Sequence, residues 1–197
     1  MLPQCGAFAG DIDKYFKIDL GGFRPGPLTK LDFWVNNFGF HCVAEYRFGQ
    51  FASRLYHKNI LLGFVPMALH ACLNYIIRMI YHVDISALTI GPGFYIGHVG
   101  PIYIGAMNIG KNFSVTHNVT VGLGLSMGKE GLPTIGDNVW IGTGSTITGA
   151  ITIGNNVTIM PGTFLSRTIP DGCLVGGNPA RVLAQNYDNQ KLFAGSE

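Results

Sequence analysis

Residues 134–165 read TIGDNVWIGTGSTITGAITIGNNVTIMPGTFL. An aliphatic side chain stands at Ile135, Ile141, Ile147, Ile153, Ile159 and Leu165, every sixth position, and glycine follows at Gly136, Gly142 and Gly154. A period of six fits neither the 3.6-residue repeat of a helix nor the alternation of an ordinary strand. It fits a coil of flat six-residue faces, three to a turn, with the aliphatic residue pointing inward on each face. The glycine behind it relieves the corner, where a side chain would crowd the turn. A generic all-β chain alternating Val and Ile would not hold six such positions in phase. Small or β-branched residues four places further on (Val119, Val139, Ser145, Val157, Thr163) are expected to fill the same interior.

Upstream the period continues. Ile90-Gly91, Ile96-Gly97 and Ile102 form a first run, and one extra residue then moves the register to Ile109-Gly110, Val115 and Val121-Gly122. The segment GLGLSMGKEGLPT (122–134) is the one long excursion, and insertions in a solenoid project from one face and often serve binding. Gly124, Gly128 and Gly131 predict a mobile loop over 123–134. Residues 1–82 form a different unit. Periodicity predicts helices over Phe40 to His57 and Ile60 to Tyr81, with Pro66 near the start of the second. GGFRPGP (21–27) ends any earlier helix. The expected division is 1–82 helical, 83–183 solenoid, and 184–197 a polar tail.

A formal charge of +2 with 12% charged residues excludes the basic surface of a nucleic-acid binder. The 28 glycines are about twice the usual share of roughly 7%, as many tight corners require. Cys5, Cys42, Cys72 and Cys173 show no metal-ligand spacing, so no metal is expected, and a reducing, cytoplasmic setting is. No basic and then apolar leader opens the chain. The most apolar segment, Ile60 to Val83, carries His70, Asn74 and Arg78 at every fourth residue. Such a polar stripe argues against a transmembrane segment and leaves room for peripheral membrane contact.

The stretch VDISALTIGPGFYIGHVGPIYIGAMNIGKNFSVTHNVTVG (83–122) resembles the serine acetyltransferase branch of the hexapeptide-repeat acyltransferases, a branch that includes many polysaccharide-biosynthesis acetyltransferases. FHCVAEYRFGQFASRLY (40–56) and the closing GGNPARVL (176–183) are similar too, so the likeness covers roughly residues 40–183. It implies a left-handed parallel β-helix with an N-terminal α-helical segment, assembled as a homotrimer with active sites in the grooves between subunits. Acetyl-CoA would lie along the groove, and the helical segment could join two trimers into a hexamer. The excursion loop would lean over the neighbour's site.

Acetyl transfer from a thioester to a hydroxyl needs a base, oxyanion stabilisation and alignment. Of six histidines, His41, His57, His70 and His82 lie in the helical unit and read as surface or boundary residues. His98 follows Ile96-Gly97 where the family places its catalytic histidine, and it is the expected base. His117, in THNVTVG, reads with Asn118 as part of an acceptor pocket. Asp84 in VDIS matches the family's orienting aspartate. The alternative for Asp84 is a loop-capping role where helix meets solenoid. Thr143-Gly144 and Pro161-Gly162 put small residues where a pantetheine arm could pass, and Arg181 is a candidate for the CoA phosphates. The N-x-S/T sequences at Asn112, Asn118 and Asn156 are by-products of repeat composition.

Two departures bear on the acceptor. Serine-specific enzymes carry an aspartate directly before the catalytic histidine, where this chain has Gly97, and an Arg-His pair late in the loop. Here Gly131-Leu132 stand there, with Glu130 just before as a candidate acceptor contact. The expected reaction is therefore acetylation of a sugar or glycan hydroxyl, with serine O-acetylation as the first alternative. A non-catalytic solenoid scaffold is the second, and the paired Asp84 and His98 with the NPAR ending weigh against it.

Overall fold

The computed structural model describes residues 3–20, 26–126, 129–190 and 192. Four helices come first: α1 (Pro3–Asp19), α2 (Pro27–Asn36), α3 (Phe38–Lys58) and α4 (Ile60–Tyr81). The last two match the expected pair, whereas α1 and α2 flank the Gly/Pro segment unforeseen. Residues 21–25 of that segment lie outside the described residues. Asn37 and Asn59 start α3 and α4 by accepting the amide protons of Phe40 (2.9 Å), and of Leu61 and Leu62 (3.0 and 3.2 Å).

A parallel solenoid follows, with strands stacked into three flat faces. The first face holds Val83–Ile85, Ile102–Ile104, Val119–Gly122, Thr146–Thr148 and Phe164–Leu165. The second holds Thr89–Ile90, Asn108–Ile109, Thr134–Ile135 and Thr152–Ile153. The third holds Tyr95–Ile96, Ser114–Val115, Trp140–Ile141, Thr158–Ile159 and Leu174–Gly176, with Arg181–Ala184 returning antiparallel along its edge. Ile90, Ile96, Ile109, Val115, Val121, Ile135, Ile141, Ile147, Ile153, Ile159 and Leu165 are all buried, and so are Val119, Val139, Ser145, Val157 and Thr163. The corner glycines answer a close backbone approach. A Cβ on Gly91 would stand 2.7 Å from the carbonyl oxygen of Gly110, and one on Gly110 would stand 2.7 Å from Gly136. The sequon residues Asn112 and Asn156 hold left-handed φ of 54° and 55°, and Asn138 between them bonds to both at 2.9 Å. Asparagine recurs there because its short side chain tolerates that region and ladders along the corner.

The register slip sits elsewhere than expected. Ile104, not Ile102, aligns with Val121 and Ile147, while Ile102 aligns with Val119 and Val83. The additional residues therefore lie before Ile102. Residues 97–102 separate the aligned positions Ile96 and Tyr103, whereas only 116–119, 142–145 and 160–163 separate their counterparts on later coils. The first coil turns this corner with two residues more than the others, and His98 is among them.

α1 and α3 close the N-terminal end of the solenoid, as the end of a repeat stack requires. Arg47 grips Asp11 through Nε (2.7 Å) and Nη2 (3.1 Å) and donates to the carbonyls of Ile90 and Gly91, both at 2.6 Å. Asp11 in turn accepts the amide protons of Gly93 and Phe94 at 2.8 Å. Lys14 donates to the carbonyls of Gly93 (2.8 Å) and Phe113 (3.2 Å). All three side chains are buried, and each anchors helix to first coil.

Candidate active site

Most of the residues singled out in the sequence fall on one edge of the solenoid, the corner between its third and first faces. His98 is exposed on the long corner of the first coil. His117 occupies the same corner one coil on, its ring centroid 6.0 Å from that of His98. Gly100 on the first coil packs against the stem of the second histidine: a Cβ there would stand 3.0 Å from Cβ of His117. Nδ1 of His117 is buried and has no hydrogen-bond partner among the described residues.

The column continues through backbone. The amide of Gly144 donates to the carbonyl of His117 (3.3 Å), that of Gly162 to Thr143 (2.8 Å), and that of Phe164 to Gly177 (3.1 Å). The Thr143 hydroxyl donates to the Thr116 hydroxyl at 3.0 Å, fixing both side chains on the edge. At its far end Met160, Pro161, Gly177, Asn178 and Arg181 line an open cleft of about 430 Å³. An edge of Gly, Thr and Pro residues with a cation at one end suits an extended chain that carries phosphates.

Asp84 is not on this edge. It faces out from the first strand of the first face, beside Tyr103, and its Oδ2 is paired with Nη2 of Arg78 at 3.0 Å. No hydrogen bond joins it to His98 among the described residues, so within one chain the expected pair is not formed. Helix meets solenoid here, and the nearest cation, on the last turn of α4, claims the carboxylate. The carboxylate that shares a cleft with His98 is Asp19, at the end of α1. Asn36, Asn37, Gly39, Gly97 and Val99 line the same cleft of about 370 Å³. Asp19 accepts from Asn37 Nδ2 (2.5 Å) and from the Tyr95 hydroxyl (2.6 Å), and burial pushes the Tyr95 phenol well above its ordinary range. Nothing in YFKIDL marks Asp19 in the sequence, because a chain reversal outside the repeat brings it to the corner.

The excursion folds as an antiparallel hairpin of Gly124–Ser126 against Lys129–Gly131, and Met127 and Gly128 at its tip lie outside the described residues. It is pinned to its own solenoid by Ser126 Oγ on the Ser166 carbonyl (2.6 Å) and Thr148 Oγ1 on the Leu123 carbonyl (3.1 Å). The described part is a strand pair, which the spacing of its glycines does not suggest. A Cβ on Gly131 would stand 2.8 Å from Ala150 Cβ, so that glycine serves close packing. Glu130 is exposed on this hairpin, at a different corner from His98. Asn118 is exposed beside His117, with a left-handed φ of 56°.

Comparison with known proteins follows the same lines. Residues 133–167 match the family model described as bacterial transferase hexapeptide (six repeats). A serine acetyltransferase from Bacillus pumilus is 31% identical over 179 residues, 89% of this chain and 76% of that protein. A probable serine acetyltransferase 1 from Oryza sativa is 36% identical over 148 residues, 73% of this chain, and the chain spans about half of that relative's length, 48%. Soybean serine acetyltransferase complexed with serine superposes with a TM-score of 0.69 at 27% identity, covering 92% of this chain and 70% of that one. These relatives are named for serine and not for a sugar. Repeat, fold and relatives agree: the chain belongs to the serine acetyltransferase family of hexapeptide-repeat transferases.

Proposed function

We propose that the chain is an acetyl-CoA-dependent O-acetyltransferase with His98 as its general base. The observation that carries this reading is the edge itself. It sets an exposed imidazole on a widened corner, a second imidazole one coil away, and then a run of small residues leading to Arg181. The His98 imidazole takes the acceptor's hydroxyl proton as that oxygen attacks the thioester carbonyl carbon. The carbon–sulfur bond breaks, and the imidazolium returns the proton to the departing thiolate. The products are an O-acetyl ester and free CoA. A thioester is already activated, so no enzyme nucleophile is called for. A cytoplasmic setting is part of this reading, carried by the cysteines without metal or disulfide spacing, and an edge open on one side supports a trimer or multiple of three, each groove closed by a neighbour.

Serine is the acceptor that the relatives' names support. A sugar or glycan hydroxyl is the second reading, and the hairpin favours it. Glu130 is exposed there, Gly131 and Leu132 occupy the place of the family's Arg-His pair, and no arginine lies anywhere between Val121 and Ile135. A serine carboxylate ordinarily asks for one. The orienting role expected of Asp84 requires it to exchange Arg78 for His98 in the assembled enzyme. Asp84→Asn should then lower kcat with little change in KM, while Arg78→Ala should not.

The test is thiol release from acetyl-CoA against serine and against a panel of sugars. Release with serine alone supports the first acceptor, and release with a sugar alone supports the second. Silence with every acceptor, together with no CoA binding by calorimetry, would leave the non-catalytic scaffold.

A further inference from the structure

α4 is turned inside out. Its polar residues face the protein: His70 Nδ1 lies 2.6 Å from Glu45 Oε1, Asn74 Nδ2 donates to Glu45 Oε2 (3.3 Å), and Arg78 pairs with Asp84 (3.0 Å). Gly63 is its one buried residue and lets α3 approach, since a Cβ there would stand 2.2 Å from Tyr56 Cα. The exposed remainder is apolar around most of the circumference, with Leu61 84%, Val65 69% and Ile80 62% exposed. Between Phe38 and Tyr81 the only carboxylate is Glu45, which is buried, while Arg54, His57 and Lys58 stand exposed at the turn between α3 and α4.

We infer that α4 is a membrane-surface anchor that lies in the headgroup boundary of an anionic lipid bilayer. Three observations choose lipid over a second copy of the chain. A partner protein covers one stripe of a helix, and the other sides would be left apolar in water; acyl chains surround whatever is exposed. Polar and ionisable side chains on helices in lipid pair with protein groups, as His70 and Asn74 do with Glu45 and the part-exposed Arg78 does with Asp84. The cations at the turn, with no exposed carboxylate in either helix, match anionic headgroups. The 22 residues of α4 are long and apolar enough to cross a bilayer. However, α3 runs antiparallel beside α4, is clamped to the solenoid by Arg47, and carries exposed Arg54 and Lys58 at its end. The helix therefore lies along the surface and does not span. This also changes the meaning of the polar stripe read from the sequence: it faces α3, so it does not argue against lipid. The inference stands independently of the acceptor.

The experiment is flotation of the full chain on a density gradient with vesicles of phosphatidylcholine, alone or mixed with phosphatidylglycerol. The wild type should rise with the mixed vesicles, and Lys58→Glu should weaken that binding selectively. Leu62→Glu/Leu69→Glu/Ile76→Glu places three charges on one outward face and should reduce flotation at least about tenfold with the helical circular dichroism unchanged. As a second reading on an otherwise unaltered face, a polarity-sensitive dye on the exposed Cys72, in a Cys5→Ser background, should shift to the blue when mixed vesicles are added. A wild type that stays at the bottom with both vesicles overturns the inference, as does a triple variant that floats like the wild type. A wild type that does not float, together with a triple variant of smaller particle mass in light scattering, assigns the face to a second copy.

Discussion

The solenoid and the outer helix hide opposite kinds of side chain. In the solenoid the repeated aliphatic residues are buried, and asparagine and most threonines face outward. In α4 the histidine and asparagine face the protein, and leucine and isoleucine face away. The solenoid meets its own coils and makes its own dry interior. Among the described residues α4 packs chiefly on α3 and the first strand, with Ile77 and Tyr81 reaching the core, and most of its apolar surface stays exposed. An apolar period thus locates the core of an element whose neighbours are copies of itself. In an outer layer the same residues mark what the molecule touches.

The comparison is sharpest if all the chemistry lies on the solenoid edge, and the largest expected effect tests this. His98→Ala should lower the rate about 10²–10⁴-fold, equivalent to about 3–5 kcal/mol of barrier, with CoA affinity nearly unchanged. His117→Ala should mainly raise KM for the acceptor, since its unpartnered Nδ1 sits one coil from the base. Steady-state kinetics with the identified acceptor, or slow hydrolysis of acetyl-CoA, gives the readout. Full activity in His98→Ala beside an inactive His117→Ala would move the base one coil along the same edge.

Next comes the joint between the two regions. Asp11 and Arg47 are buried, and leaving either unpaired should cost about 3–5 kcal/mol, whereas replacing both with apolar residues of similar volume can cost far less. Asp11→Leu and Arg47→Met, singly and together, measured by urea unfolding, should show that coupling. Additive losses would mean that each side chain fastens the cap through its own bonds to the first coil and not through the pair.

Much of this was legible in advance, for a physical reason. A repeat states its own geometry, so the inward rows, the corner glycines and the edge carrying His98, His117, Thr143 and Pro161 could be read from spacing and family likeness. The corner at residues 97–102 misled because Ile102 and Ile104 are both aliphatic and both buried, and spacing alone cannot tell which inward row each one joins. The pairing of Asp84 with Arg78, and Asp19 altogether, escaped because Arg78 and Tyr95 are brought to them by how helices dock, which no short period encodes. The Asp11–Arg47 pair joins residues far apart in the chain and leaves no local trace either.

A smaller contrast uses one kind of substitution in both regions. Ile153→Ala removes a fully buried side chain from the solenoid and should cost about 2–5 kcal/mol. Ile76→Ala, on the outward face of α4, should stay within about 0.5 kcal/mol in the absence of lipid. Equal costs in thermal or urea unfolding would mean the outer face of α4 is covered in solution after all.

The smallest expected effect is a slope with pH, and it comes from Lys14 at the joint. Burial pushes its ammonium from 10.5 down to about 7, with the nearby Asp11 carboxylate opposing the fall. In the unfolded chain this lysine keeps its proton up to about pH 10.5, while in the folded protein it loses it near 7. Between those values the unfolded state binds more protons, so this group makes stability rise with pH, by at most about 1.4 kcal/mol per pH unit. Burial also raises the neighbouring Tyr46 and Cys42 to about 12, and these act in the opposite sense once their unfolded counterparts ionise near pH 9 to 10. The clean window is therefore pH 7 to about 9, and the clean quantity is wild type minus Lys14→Met, in which the other groups cancel. That difference should grow in favour of the wild type across the window. A flat difference would mean that Lys14 keeps its charge when folded, held by Asp11 and the carbonyls of Gly93 and Phe113. The helical cap would then be fastened to the first coil by a buried cation, in direct contrast to the dry interior below it.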